Sequence, residues 1–214
     1  MIKNLIFDVD GTIWNSTGVV AKAWIKAVED LGIDSSVITP DRLKKEFGKP
    51  MNEIFASLFS DIKNEDTFNK VNQGVIRYEH DFLEANEDDL TYEGVTDGFH
   101  DLAKKYNLYI VSNCQKGYIE LVCRKTGIAD CIKDYLCYGD TLATKDITMC
   151  KLVENNNLDK NETVYIGDIM GDYISTKKAG LRFIHAAYGF GEVDNPDGVA
   201  KSFSEIDAAV QSLA

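Results

Sequence analysis

The sequence has no long hydrophobic run, a deficit of positive charge, few histidines and no closely spaced cysteine pair. Each shortage removes a class of function. No segment approaches 18 consecutive apolar residues, so no membrane span and no membrane partner are expected. Lys and Arg number 23 against 35 Asp and Glu, a formal net charge of −12. Nucleic-acid phosphates would be repelled over most of such a surface, so no nucleic-acid partner is expected. Five cysteines (Cys114, Cys123, Cys131, Cys137 and Cys150) include no C-x-x-C pair and read as reduced thiols. The three histidines, His80, His100 and His185, are scattered singly, and spacing offers Cys114 no partner base. The N-terminus, Met1-Ile2-Lys3-Asn4, lacks the layout of a secretory signal, so a cytoplasmic location is expected. Internal repeats and low-complexity segments are also missing.

What is present is a chain of 214 residues, 44% hydrophobic, ample for a core. Near its start Leu5-Ile6-Phe7 runs straight into Asp8-Val9-Asp10-Gly11-Thr12. An apolar run of this kind reads as a strand buried on both faces. The period-2 geometry of a strand puts Asp8 and Asp10 on one side at its carboxyl end. Gly11 permits a sharp turn and exposes amide N–H groups there. Two carboxylates so close need a cation or a proton between them. Both suit phosphoryl transfer, in which one acid attacks phosphorus and the other handles the leaving-group proton. The plainer reading of Asp10-Gly11 is a hairpin turn.

Residues 15–86 contain helical patterns and no convincing strand. Asn15-Ser16 is placed to cap a helix with the apolar face Val20, Ala23, Ala27, Val28 and Leu31, stopped by Gly32. Further helices are predicted over 41–47, 51–59 and 65–83, which makes a small inserted helical domain. Trp14 and Trp24 are expected to pack it, and Trp14 is near enough to the catalytic loop to shape it. Beyond it, helices alternate with strands predicted over 108–111, 135–138, 163–166 and 183–187. With the opening strand these make five, and the alternation implies an α/β fold with a doubly wound parallel sheet, a Rossmann-like core of residues 1–14 and 87–214. Ligands in such sheets bind beyond the carboxyl ends of the strands. Asp8, Asp10, Ser112, Asn113 and Asp168 all fall there.

Ser112 and Asn113 either stabilise charge on a transferring phosphoryl group or cap the next helix. Asp168, after a buried strand, reads as a metal ligand together with Asp8, in the pattern of Mg²⁺. Asp172 either orients a lysine or a metal-bound water, or is a first-turn acid favoured by the helix dipole. Lys145, expected on a loop after the third strand, is preferred to Lys151 within the following helix as the lysine that reaches the pocket. Lys49, after Gly48, either grips the substrate or is a surface lysine.

Together these pieces resemble the haloacid dehalogenase-like hydrolase superfamily, and within it the phosphatases with a small helical cap after the first motif. The motifs are Asp8-Val9-Asp10-Gly11-Thr12, the apolar run ending Ser112-Asn113, Lys145, and Gly167-Asp168 with Asp172. The Lys-Pro-x-Pro that often surrounds the lysine is here Lys145-Asp146-Ile147-Thr148. The resemblance implies that Asp8 is the nucleophile and forms an aspartyl-phosphate. Asp10 would protonate the leaving oxygen and then activate water. Mg²⁺ would be held by Asp8, Asp168 and the backbone carbonyl of Asp10. Gly11, Thr12, Ser112, Asn113 and Lys145 would bind the phosphoryl group, and the cap of residues 15–86 would choose the substrate. The chain looks most like the phosphoglycolate phosphatase type, a monomer or weak homodimer acting on a small phosphorylated metabolite. A phosphomutase like β-phosphoglucomutase, or a phospho-accepting signalling module switched at Asp8, are the alternatives.

Overall fold

A computed structural model describes residues 1–213. The chain divides into two compact units, Met1–Asn15 with Leu90–Ala214, and Ser16–Asp89. Strand β1 (Asn4–Phe7) opens the first unit, and the second holds α1 (Thr17–Glu29), α2 (Pro40–Glu46), α3 (Met51–Leu58) and α4 (Glu65–Ala85). The Thr39 hydroxyl caps α2 by accepting from the Arg42 N–H, and the Asn64 side chain caps α4 from Thr67. Ser16 stands at the N-cap position of α1, but its hydroxyl makes no capping bond. Trp24 packs this unit as expected. Its ring stacks on Phe55 at 5.4 Å, and its indole N–H donates to the buried Glu79 carboxylate at 2.7 Å. Leu31 is exposed rather than part of the apolar face, because α1 ends at Glu29 and Leu31 belongs to the turn beyond.

The first unit continues with α5 (Val95–Ala103), β2 (Asn107–Ser112), α6 (Tyr118–Thr126), β3 (Ile132–Cys137), the short α7 (Tyr138–Thr141) and α8 (Lys145–Asn155). It ends with β4 (Thr163–Gly167), α9 (Met170–Ala179), β5 (Arg182–Ala186), β6 (Gly198–Ala200) and α10 (Ile206–Ser212). The strands form one parallel sheet in the order β3-β2-β1-β4-β5-β6. β1 is central, with Phe7 in register with Ile110 on one side and Ile166 on the other. Every residue of β1 and β4 is buried, as a strand covered on both faces requires.

Successive residues of β1 serve opposite faces. Ile6 joins Tyr109, Tyr165 and Phe183 against Met149 and Leu152 of α8 and Ala179 of α9. Phe7 packs on Phe99 of α5 at 4.7 Å and on Phe203 at 6.1 Å. From β1 the chain builds outward through β2 and β3, then returns to β4 on the other side. The connections therefore diverge between β1 and β4, which opens a crevice beyond their carboxyl ends. Asp8 follows β1 and Asp168 follows β4.

The sheet has six strands, not the expected five. β6 is three residues long and begins with glycine, too short for a period to show. It forms because β5 offers an open edge, pairing Ile184 with Gly198 and Ala186 with Ala200. β3 begins at Ile132 rather than Tyr135: as an edge strand bonded only to β2 it carries Lys133 and Asp134. Trp14 lies in the first unit, not the helical one, and its backbone bridges to Thr91. Among the described residues no helix is long and apolar enough to cross a membrane. Phe99→Ala, which empties the centre of the Phe7–Phe99–Phe203 cluster, is expected to cost about 3–5 kcal/mol in urea unfolding. A loss below about 1 kcal/mol would contradict this packing.

Candidate active site

β1 delivers Asp8 into the crevice, where its backbone N–H donates to the Ile166 carbonyl at 2.9 Å. Asp8 is 2% exposed, and its carboxylate meets Lys145, 3% exposed, at 2.7 Å. Lys145 is not on a loop as expected but is the first residue of α8. A cation is disfavoured by the helix dipole at that end. Two carboxylates offset the cost, since Lys145 Nζ donates to Asp8 Oδ1 and also to Asp172 Oδ1 at 2.5 Å. Lys151 is exposed on the same helix, so burial decides between the two lysines.

Asp172 makes contacts on two sides. It orients Lys145 through Oδ1, and in the first turn of α9 its Oδ2 accepts from the Asp168 and Ile169 N–H groups at 3.2 and 3.4 Å. Asp168, 1% exposed, accepts the Phe190 N–H on Oδ2 at 2.8 Å. Its Oδ1 is buried and has no hydrogen-bond partner among the described residues. Asp8, Asp168 and Asp172 each place a carboxylate oxygen within 4.8 Å of the others. Tyr165 also lies in the crevice, donating to the Val111 carbonyl at 2.8 Å with its hydroxyl 3.4 Å from Asp8 Oδ1.

Burial dominates the electrostatics. It pushes Asp8 up to about 7, with Lys145 pulling the other way and Asp172 adding to the rise. Burial, then Asp172 and Asp8, hold Asp168 well above the ordinary carboxylate range. Burial works against the charge on Lys145 too, but the facing Asp172 and Asp8 carboxylates overcome it and raise its pKa. With all three acids ionised, three carboxylates and one ammonium would leave two negative charges in excess. A divalent cation would cancel them, and the unpartnered Asp168 Oδ1 is the kind of donor a hard cation takes. The residues present therefore fit Mg²⁺, with Asp172 as a third acid of the group besides Asp8 and Asp168.

Two glycines make room for this cluster. Gly11 has φ +91°, and a Cβ there would overlap the Asp168 carboxylate. A Cβ on Gly189 would run into Asp168 and the Gly11 carbonyl. Asp10-Gly11 lies in a turn but not in a hairpin: the Gly11 N–H donates to the Trp14 carbonyl at 2.9 Å, and the bridge between Asp10 and Trp14 is parallel. Asp10 stands apart from the three acids: its Oδ1 accepts from Trp14 Nε1 at 3.0 Å and from the Tyr118 hydroxyl at 2.9 Å. Thr12 is buried, and its Oγ1 has no hydrogen-bond partner among the described residues. Ser112 is buried at the end of β2, followed by half-buried Asn113. Neither caps a helix, because α6 starts at Tyr118 with Gly117 at its N-cap. Lys49 belongs to the helical unit, where it pairs with Glu46 at 2.6 Å. Burial raises the Cys114 thiol well above its ordinary value, next to Cys137.

Tyr118, Tyr165 and the Phe190 N–H had no sequence signal, since each is a common residue whose role lies in where the fold puts it. Gly189 had one, in the glycine-rich Tyr188-Gly189-Phe190-Gly191 after β5.

Residues 5–186 match the family described as haloacid dehalogenase-like hydrolase. The chain belongs to that family. It is 25% identical over 218 residues to a phosphoglycolate phosphatase of Vibrio parahaemolyticus, covering 96% of this chain and 94% of that one. In fold it is similar to a predicted phosphoglycolate phosphatase from Haemophilus somnus, with a TM-score of 0.84 at 20% identity over 97% of each chain. The HAD-hydrolase YfnB of Bacillus subtilis, solved bound to magnesium, superposes with a TM-score of 0.75 at 19% identity, over 98% of this chain and 99% of that one. In this haloacid dehalogenase-like hydrolase, Lys145→Met leaves buried carboxylates without their counter-charge. In metal-free buffer it is expected to lower unfolding free energy by about 3–5 kcal/mol, and less in the Lys145→Met/Asp172→Asn double variant. Unchanged stability of Lys145→Met would contradict the buried ion pairs.

Proposed function

We propose that the protein is a Mg²⁺-dependent phosphatase of the phosphoglycolate phosphatase type, which hydrolyses a small phosphorylated metabolite through an aspartyl-phosphate on Asp8. One observation carries the reading: Asp8 is held by a buried lysine beside an Asp168 oxygen that has no hydrogen-bond partner among the described residues. The phosphoglycolate phosphatase relative, aligned over almost the whole chain, supports the substrate class.

Asp8 attacks phosphorus, so that a new bond forms from its carboxylate as the ester oxygen departs. Asp10 gives that oxygen its proton. In the second half Asp10 takes a proton from water as the water attacks the phosphorus of the aspartyl-phosphate, which releases inorganic phosphate and restores Asp8. Lys145 holds Asp8 in place and offsets the charge of the phosphoryl group. The Thr12 hydroxyl, Ser112 and Asn113 line the phosphoryl site as neutral donors, which stabilise developing charge without competing as nucleophiles. Gly11 lets the backbone come close. Asp8, Asp168 and the Asp10 backbone carbonyl would hold Mg²⁺, with Asp172 behind them; when bound, the ion screens the repulsion between nucleophile and phosphate.

Asp8→Asn is expected to abolish Mg²⁺-dependent release of phosphate from p-nitrophenyl phosphate, and unchanged turnover would refute the nucleophile. Asp10→Asn is expected to lower turnover by about 10²–10⁴-fold, the range of general acid–base catalysis. Mg²⁺ at 100 times its Kd should add about 2.7 kcal/mol of stability in thermal melts. Asp168→Asn should lose that gain; an equal gain in the variant would remove Asp168 from the metal site.

A further inference from the structure

Asp10 is gripped by two rings that the mechanism above does not use. Trp14 and Tyr118 are both buried, and they meet edge to face with centroids 5.8 Å apart at 72°. Both aim a donor at the same oxygen, Asp10 Oδ1, at 3.0 Å from the indole and 2.9 Å from the hydroxyl. The two rings come from separate loops. Trp14 is fixed by the turn after β1, through the Gly11 N–H to Trp14 carbonyl bond and a backbone bridge to Asp10. Tyr118 is the first residue of α6, after β2.

We infer that Trp14 and Tyr118 are positioning residues for Asp10, which fix the rotation of its carboxylate through Oδ1. This rests on the reading of Asp10 as the acid and base. A buried indole N–H and a phenol each need an acceptor, but any backbone carbonyl would satisfy them. Here both converge on one oxygen of one carboxylate. A carboxylate held by a single donor still turns about its Cβ–Cγ bond, whereas two donors from different loops fix that torsion. Proton transfer to a departing oxygen needs the acid within hydrogen-bond reach at the right angle, so a fixed torsion contributes to the rate. Both rings act through Asp10.

The test is steady-state kinetics of the full-length Mg²⁺-loaded protein on two substrates of unlike leaving group. Phosphoglycolate departs as an alkoxide and needs the proton, whereas p-nitrophenyl phosphate departs as a stable phenolate and needs it little in the first step. Tyr118→Phe keeps the ring and removes only the hydroxyl. It is expected to lower kcat/KM for phosphoglycolate by about 10- to 100-fold, the span of one hydrogen bond to a charged group. The loss with p-nitrophenyl phosphate should be several-fold smaller. Trp14→Phe should show the same asymmetry, and in the Asp10→Asn background Tyr118→Phe should cause no further loss. Equal losses on both substrates, no loss at all, or a further loss in the Asp10→Asn background would each overturn the inference. If Asp10→Asn itself keeps full turnover, the acid–base reading fails and the inference falls with it. A crippled Asp10→Asn beside an unaffected Tyr118→Phe refutes the positioning role alone.

Discussion

Everything in the first unit is arranged around one costly contact, the Lys145 ammonium buried among the carboxylates of Asp8 and Asp172 with Asp168 beside them. Burying any one of these charges alone would cost several kcal/mol. Together they are tolerable, but one ammonium does not balance three acids, and Asp8 and Asp168 are displaced upward by burial and further by the neighbouring carboxylates. A divalent cation would offset that charge. A stable core has no need of an arrangement like this, which is the physical reason for reading it as a site for chemistry.

The fold makes the contact possible at several levels. A central strand buried on both faces delivers Asp8 with little freedom of position. The return of the chain across that strand opens the crevice next to β4, and Asp168 follows from there. Two helix starts then point inward, α8 with its lysine and α9 with Asp172. The backbone at Gly11 and Gly189 leaves no room for a side chain, so the loops close around Asp168 to within contact. The helical unit has its own core, built on Trp24, Phe55 and Glu79, and is held by different contacts.

How far the sequence could be read depended on the range of the cause. The run Leu5-Ile6-Phe7 before Asp8 and the run Thr163-Val164-Tyr165-Ile166 before Gly167-Asp168 carry their burial in their own composition, so the parallel sheet and the place of both acids were legible. The α/β architecture with a helical insertion followed from the change in period after residue 86. What was not legible depends on partners distant in sequence. β6 exists only because β5 has an edge to cover, and β3 hides its start under edge polarity. The nearness of Trp14 to the catalytic loop was legible, but its place outside the helical unit depends on the turn at Gly11 that folds it back on Asp10. Lys145 is recognisable as a lysine in the right region, but its burial at a helix start depends on Asp8 and Asp172, 137 and 27 residues away in sequence. Tyr118 has no local mark at all.

The most direct test of the account is to trap the enzyme during turnover. Acid quenching of the Mg²⁺-loaded protein with phosphoglycolate, followed by peptide mapping, is predicted to find the phosphoryl group on Asp8 in a hydroxylamine-sensitive linkage. Rapid turnover with the phosphoryl group found only on another residue would contradict it.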